Sequence, residues 1–331
     1  MVAFTRLMES MNNPHYQSIG DELELGLLQG VDVIQSLWGG YGELVRLTFS
    51  QRSIIVKHVQ LPKPSEHPRG WNTDRSHKRK LHSYQVEVSW YQYFSQTVDE
   101  RCRIPQGLKC FQNEAEWLIV MEDLTLAGYP NVMKSAGKAQ LKACLEWLAN
   151  FHARYIGVHH DALWKTGTYW HLDTRPDELA VLQDARLKKR ARLIDQTLKQ
   201  ARFQTLIHGD AKLANFCFNS QNSAVAAVDF QYVGHGCAMK DVALFMSSAV
   251  DPDKCAEMEP WVLDTYFVAL NTALKHYQTE LEPSEVEQEW RPLFAVAWAD
   301  FQRFVKGWSP DHWKINPYTE ALTKRALDSL G

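Results

Sequence analysis

The chain is poor in several features that would settle its class at once. Its cysteines (Cys102, Cys110, Cys144, Cys217, Cys237, Cys255) are scattered, with no Cys-x-x-Cys pair. That spacing argues against a zinc site and a disulfide framework, and suits a reducing cytoplasm. No run of about 18 apolar residues is present, so nothing is expected to span a bilayer. Met1 to Glu9 lack a basic start followed by an apolar stretch, so no secretory signal is expected there. The formal net charge is only −3 over 331 residues, which gives no global pull toward nucleic acid or an anionic membrane. Internal repeats and low-complexity segments are missing too. What remains is an ordinary globular composition, long enough for two domains or one large bilobal one with a substantial core.

The most informative stretch runs from Ile207 to Gln231. It reads Ile-His-Gly-Asp-Ala-Lys-Leu-Ala-Asn-Phe-Cys-Phe, a polar turn at Asn219 to Ser223, then Ala-Val-Ala-Ala-Val-Asp-Phe-Gln. Short apolar strands on either side of a polar turn predict a hairpin. A hairpin brings its open ends together, so Asp210 and Asn215 at one end meet Asp229 at the other. One carboxylate to accept a proton, with an Asn and a second Asp to hold a hard cation, is equipment for Mg²⁺-dependent phosphoryl transfer.

Upstream, Val31 to Leu37, Glu43 to Phe49 and Ser53 to Val59 predict three antiparallel strands, the first two joined by Trp38-Gly39-Gly40-Tyr41-Gly42. These glycines supply positive φ for a turn; they also let backbone N–H groups approach phosphates. Lys57 stands on the apolar third strand. Glu87, within the helical stretch Tyr84 to Phe94, is the candidate partner that orients it. Asp21 to Leu28 is expected to form an amphipathic helix or a strip packed on these strands. The basic segment Gln60 to Leu81 (Lys63, Arg69, Arg75, Lys78, Arg79, Lys80, with Trp71) is expected to be a solvated loop. Trp117 to Leu124 is expected to be a buried strand that emerges into a connector at Glu122 and Asp123; adenine commonly binds a connector through backbone groups, with Glu122 and Leu124 beside it and Met121 expected at the back of that pocket. Ala139 to Tyr155 has a helical period that makes His152 a packing residue. Pro176 to Gln200 is expected to be one long helix with a solvated basic face.

In this order the parts resemble the protein-kinase-like fold: glycine-rich hairpin, strand lysine, helix glutamate, connector, His-Gly-Asp-x-x-x-x-Asn and hydrophobic-Asp-Phe. His208-Gly209-Asp210, where protein kinases have His-Arg-Asp, looks like the aminoglycoside phosphotransferase and choline kinase branch. Met-Glu-Asp-Leu, Val-Asp-Phe-Gln and Lys240-Asp241-Val-Ala look closest to its ecdysteroid-kinase-like members. The resemblance covers about Val31 to Phe245. It implies an α+β, bilobal fold with a small antiparallel-sheet N-lobe (residues 1–123) and a larger, mostly helical C-lobe (residues 124–331).

The resemblance also implies roles. Asp210 orients the acceptor hydroxyl and takes its proton. Lys212 neutralises charge on the moving phosphoryl group. Asn215 and Asp229 bind Mg²⁺. Lys57, held by Glu87, grips the α/β-phosphates of ATP, with Gly39, Gly40 and Gly42 over them. His208 and Asp241 hold the loop in shape. Because the transition state is loose, Asp210 needs no raised pKa.

Two departures narrow the acceptor. Gln231 replaces the glycine of Asp-Phe-Gly, which disfavours a large flip of Asp229. The run from Asp229 to Asp241 is too short for an activation segment, so a peptide-docking platform is missing and a small-molecule hydroxyl is the expected acceptor. The alternatives are a catalytically silent nucleotide-binding module and, further off, a protein kinase. Silent members usually lose the equivalents of Lys57, Asp210 or Asp229, and all three are here. Beyond residue 250 the chain is matched only in character. Its aromatics are expected mostly in helix cores, with Asp300, Trp308, Asp311 and His312 as candidate acceptor contacts.

Overall fold

The alternation of Val45, Leu47 and Phe49 with half-buried neighbours along Gly42–Phe49 is that of a strand covered on one face. Ser53–Gln60 is buried at nearly every position, as a central strand covered on both faces must be. The computed structural model describes residues 13–60, 74–113 and 116–331. These divide into two compact units, one drawn from 13–98 and 104–130, the other from 99–103 and 131–331.

The first unit is a five-stranded antiparallel sheet in the order β1-β2-β3-β5-β4. Its strands are β1 (Leu28–Ser36), β2 (Gly42–Phe49), β3 (Ser53–Gln60), β4 (Gly107–Gln112) and β5 (Glu116–Glu122). One core joins Val31, Val45, Leu47, Ile54, Val56, Leu118 and Val120 to Tyr16 and Ile19 of helix α1 (Pro14–Glu22). On the other face Leu37, Tyr41, Val59 and Trp117 pack with Tyr84, which lies on helix α2 (Asp74–Tyr93).

Of the two forms expected for Asp21 to Leu28 the packed strip is the one found: α1 ends at Glu22, Leu25 is buried in the sheet core with Leu23 and Leu28 against it, and Leu27 points to solvent. One local expectation changes. Helix α2 begins well before Tyr84, so Arg75, Lys78, Arg79 and Lys80 are helical and not in a loop. Charge had suggested a solvated loop, but Arg and Lys are good helix formers, and one apolar face suffices to dock them. Lys63, Arg69 and Trp71 lie outside the described residues.

The second unit is mostly helical: α3 (Lys138–Tyr155), α4 (Pro176–Val181), α5 (Ala185–Lys199), α6 (Met239–Ala249), α7 (Cys255–Tyr277), α8 (Pro283–Trp308) and α9 (Pro317–Ser329). The expected single helix over Pro176 to Gln200 is broken, because the Asp184 side chain accepts from Leu187 N at 3.0 Å and caps a new helix there. Strand β6 (Asn131–Val132) pairs with β8 (Phe216–Phe218), which pairs with β9 (Val225–Ala227); β7 (Thr205–Ile207) pairs with β10 (Gly234–Gly236). The β8–β9 turn closes on Asn219, whose Oδ1 accepts from Ser223 N at 2.8 Å and Ala224 N at 3.2 Å. Among the described residues no helix is long and apolar enough to cross a membrane.

Candidate active site

Strand β7 delivers the chain into His208-Gly209-Asp210. Gly209 has φ of 79°, and a Cβ there would lie 2.1 Å from Tyr232 O and 2.7 Å from Thr168 N. Backbone on both sides therefore leaves room for glycine alone.

The turn is held from below by Asp241, fully buried on the first turn of α6. Its carboxylate accepts from His208 N at 2.6 Å and Gly209 N at 2.9 Å. A third contact at 3.1 Å is to His152 Nε2, whose Nδ1 lies 2.8 Å from Tyr266 OH. Three helices thus meet on one loop: α3 through His152, α6 through Asp241 and α7 through Tyr266. His152 is the positioning residue that sequence reasoning undervalued; a helical period shows that it is buried but not what it touches. His208 lies 3.0 Å from Val228 O through Nε2, while Asp210 N donates to its Nδ1 at 3.2 Å. That pairing puts the proton on Nε2 and ties the loop to the residue before Asp229.

Asp210 projects from this scaffold. Its Oδ2 accepts from Lys212 Nζ at 2.8 Å and Asn215 Nδ2 at 3.2 Å. Asn215 Nδ2 also donates to Asp210 O at 2.8 Å, and Asn215 O accepts from Val228 N at 3.0 Å. The hairpin's open ends do meet. Asp229 has φ of 71°, and its Oδ1 accepts from Gln231 Nε2 at 2.8 Å. The residue in the glycine position of Asp-Phe-Gly thus grips the aspartate.

Burial pushes the Asp210 carboxyl above its ordinary range; Lys212 opposes this and the nearby Asp229 adds to it. The sequence suggests that no raised pKa is needed; the shift comes first from burial of the carboxyl, with Asp229 adding to it. Burial works against the Lys212 cation, but Asp210 and Asp229 outweigh it and raise its pKa.

The donor set suits a hard cation. The Asn215 amide nitrogen is committed to Asp210, which turns Oδ1 the other way, and Asp229 brings a carboxylate. Two protein oxygens with phosphate oxygens and waters is the usual environment of Mg²⁺. Among the described residues no cluster of three or more His, Cys, Asp or Glu competes as a metal site.

In the first unit, Lys57 Nζ lies 2.7 Å from Glu87 Oε2, with both side chains buried. Gly39 and Gly40 sit in a helical turn with positive φ. Gly42 opens β2 at φ of 116°, where a Cβ would meet His58 O at 2.0 Å. Met121 and Leu124 are buried, and Glu122 N donates to Gln106 O at 2.9 Å. Between them Asp123 accepts from Arg46 Nε at 2.7 Å and Ser53 Oγ at 2.6 Å. Burial alone would raise the Asp123 carboxyl, but these partners hold it below its usual range. It pins the end of β5 to β2 and β3.

The candidate acceptor contacts separate. Asp300 is fully buried and accepts from Trp170 Nε1 at 3.1 Å and the Arg303 guanidinium at 2.9 Å, with Lys240 Nζ at 3.3 Å. It knits α6 and α8 together and presents nothing to an acceptor, a correction to the sequence reading. Trp308, Asp311 and His312 do lie at the surface, with Trp308 stacked on Phe304 and its ring centroid 5.7 Å from that of His312. Sequence reasoning missed Lys314, Tyr169 and Tyr232, whose charges or hydroxyls lie within electrostatic reach of Asp210 or Lys212. No motif marks them, because only the fold brings them near Asp210.

The family model for the phosphotransferase enzyme family matches residues 38–277. The chain belongs to that family. The match begins at the glycine turn, takes in Lys57, Glu87, the Asp210 loop and Asp241, and stops at the end of α7. Helices α8 and α9, and Lys314 between them, lie beyond it. Among solved structures, a microcompartment-associated aminopropanol kinase has a similar fold, at 11% identity over 95% of this chain and 94% of that one, with a TM-score of 0.52. An aminoglycoside-3′-phosphotransferase of type VIII (15% identity, 96% of this chain, 100% of that one, TM-score 0.44) and a choline kinase from Streptococcus pneumoniae (12%, 95%, 97%, 0.43) are also similar. At such identities the likeness is one of fold. Comparison with curated proteins finds no match. An antiparallel-sheet unit followed by a helical one, with its phosphotransferase motifs in order, is the bilobal architecture expected from the sequence.

Proposed function

We propose that this phosphotransferase moves the γ-phosphoryl group of ATP onto a hydroxyl of a small molecule, with Mg²⁺. The observation that carries the reading is the convergence of Asp210, Lys212, Asn215 and Asp229 on a loop held by Asp241.

Asp210 Oδ2 accepts a hydrogen bond from the acceptor hydroxyl and fixes its direction of attack. As the new O–P bond forms, the bond from the γ-phosphorus to the β-bridging oxygen breaks and ADP leaves with that oxygen. The acceptor proton passes to Asp210. Lys212 sits on the same carboxylate and neutralises charge on the moving group. Mg²⁺, when bound, neutralises phosphate oxygens and aligns them for in-line transfer; Asn215 Oδ1 and the Asp229 carboxylate are the atoms that would hold it. Lys57, kept in place by Glu87, is assigned to the α/β-phosphates, and Gly39, Gly40 and Gly42 to the turn over them. The backbone from Met121 to Leu124 is assigned to adenine. In this reading the sheet unit grips nucleotide and the helical unit carries the chemistry.

Between Asp229 and α6 the chain is occupied by β10 paired to β7, with no length left for a peptide platform. This favours a small acceptor over a protein. The six free thiols suit a reducing cytoplasm. The test is a melting experiment with Mg·ADP, followed by detection of a phosphate ester formed from Mg·ATP and a pool of hydroxylated metabolites. An upward shift of melting temperature and an ester absent with Asp210→Asn are expected. Absence of any nucleotide-induced shift would refute the reading.

A further inference from the structure

Lys314 is an unusual lysine. It lies in the loop between α8 and α9, and that loop is pinned. Lys314 O accepts from Gln302 Nε2 at 2.9 Å and Thr319 Oγ1 at 3.1 Å, and its N donates to His312 Nδ1 at 3.1 Å. Its ammonium sits 5.1 Å from the Phe301 ring centroid and 5.4 Å from that of Trp313. Nζ donates to Ser247 Oγ at 3.0 Å, and Ser247 Oγ in turn donates to Leu244 O. One bond is satisfied, and two N–H groups remain for something else. Among the described residues no carboxylate pairs with it, although its charge is felt at Asp210 and Lys212.

Ordinary packing does not require this. A lysine between two helices normally sends its charge to solvent or to an acid. Here a pinned backbone holds a half-buried cation on Ser247 of α6, and the next residue, Ser248, accepts from Leu213 N at 3.0 Å on the loop that carries Asp210. Exposed Trp313 lies beside it; Phe301 of α8 shares a core with Phe304, on which Tyr169 and Ile315 pack and Trp308 stacks. Asp210, within electrostatic reach, has its own task; Asp300 is buried and neutralised. Lys314 and Lys212 are thus two cations within electrostatic reach of the proposed base, the first with the Trp313 ring beside it.

We infer that Lys314 is a specificity-determining residue that selects a hydroxylated acceptor bearing a carboxylate on a flat apolar body, and that amine-bearing acceptors are disfavoured. The inference rests on the phosphoryl-transfer reading, because it takes Asp210 as the point where the hydroxyl must arrive. The acceptor's carboxylate takes the two open Lys314 N–H bonds, its body lies along Trp313 and Tyr169, and its hydroxyl reaches Asp210. A cationic acceptor meets Lys314 and Lys212 together and is repelled.

The test uses the full chain with Mg·ADP bound and three probes on one scaffold: para-hydroxymethylbenzoate, benzyl alcohol and para-hydroxymethylbenzylamine. Calorimetric binding should rank them in that order, with the carboxylate at least about tenfold tighter than the amine. Lys314→Met should erase the preference and Lys314→Arg should retain it; melting curves establish that each variant is folded. Equal or tighter binding of the amine, no binding of any probe while Mg·ADP binds, or a preference unchanged in Lys314→Met overturns the inference alone. Failure of Mg·ADP to bind overturns the phosphoryl-transfer reading and this inference with it.

Discussion

Asp241→Asn replaces one atom and should be among the most damaging changes in the protein. The wild-type carboxylate takes two backbone N–H groups and His152 Nε2, all fully buried. An amide offers one acceptor oxygen and a second group that only donates. Whichever way it turns, an N–H of the amide faces an N–H of the loop or the histidine. One charge-assisted hydrogen bond is lost, worth about 1.5–3 kcal/mol, and one buried donor is left unsatisfied at about 1–3 kcal/mol. The sum, about 2.5–6 kcal/mol, is a large part of the stability of a typical domain. Urea melts of both proteins measure it, and turnover should fall with it because Asp210 directly follows Gly209, whose N–H Asp241 holds. His152→Gln in the same background separates the network from the single contact: the double variant should lose less than the sum of the two. A loss below about 1 kcal/mol for Asp241→Asn, or full additivity with His152→Gln, would refute this account of the loop.

Other perturbations test other parts. Gly209→Ala forces a Cβ against two backbone atoms at positive φ; it should cost about 3 kcal/mol or more in a melt and abolish turnover. Lys57→Met leaves Glu87 buried without its cation, which should cost about 3–5 kcal/mol. Adding Glu87→Leu should recover much of that stability but no nucleotide affinity by calorimetry. Lys314 is held at a pKa of about 8, below its ordinary value, mainly by burial. Between about 8 and the ordinary value the unfolded chain holds a proton that the native chain has shed, so wild-type stability rises with pH there. Lys314→Met should therefore melt higher, by about 1–2 kcal/mol after allowing for the partly exposed end. That gain should be present below pH 8 and fade above it; a gain independent of pH would contradict the assignment.

Much of this was legible in the sequence. The order of motifs from the glycine turn to Lys240-Asp241 names the family, and strand periodicity places the sheet within a few residues. An ammonium among apolar strands calls for a carboxylate, and Lys57 with Glu87 is indeed an ion pair. What failed was local where several outcomes have similar energies. Arg75 to Lys80 read as loop because they are charged, yet they are helical. Asp184 cuts a helix in two through one capping bond that a periodicity average cannot show. Asp300 looked available only because charge was read without burial. Lys314 and Tyr169 could not be found at all, since only the packing of α6, α8 and the loop after it brings them within electrostatic reach of Asp210.

The central claim is that Asp210 accepts the proton during Mg²⁺-dependent transfer from ATP. The most direct measurement follows conversion of Mg·ATP to ADP in the presence of hydroxylated acceptors, for wild type and Asp210→Asn, with nucleotide binding checked in both. The account predicts equal binding and a turnover at least about 10² lower in the variant. Equal turnover by both proteins, or no nucleotide binding by either, would contradict it.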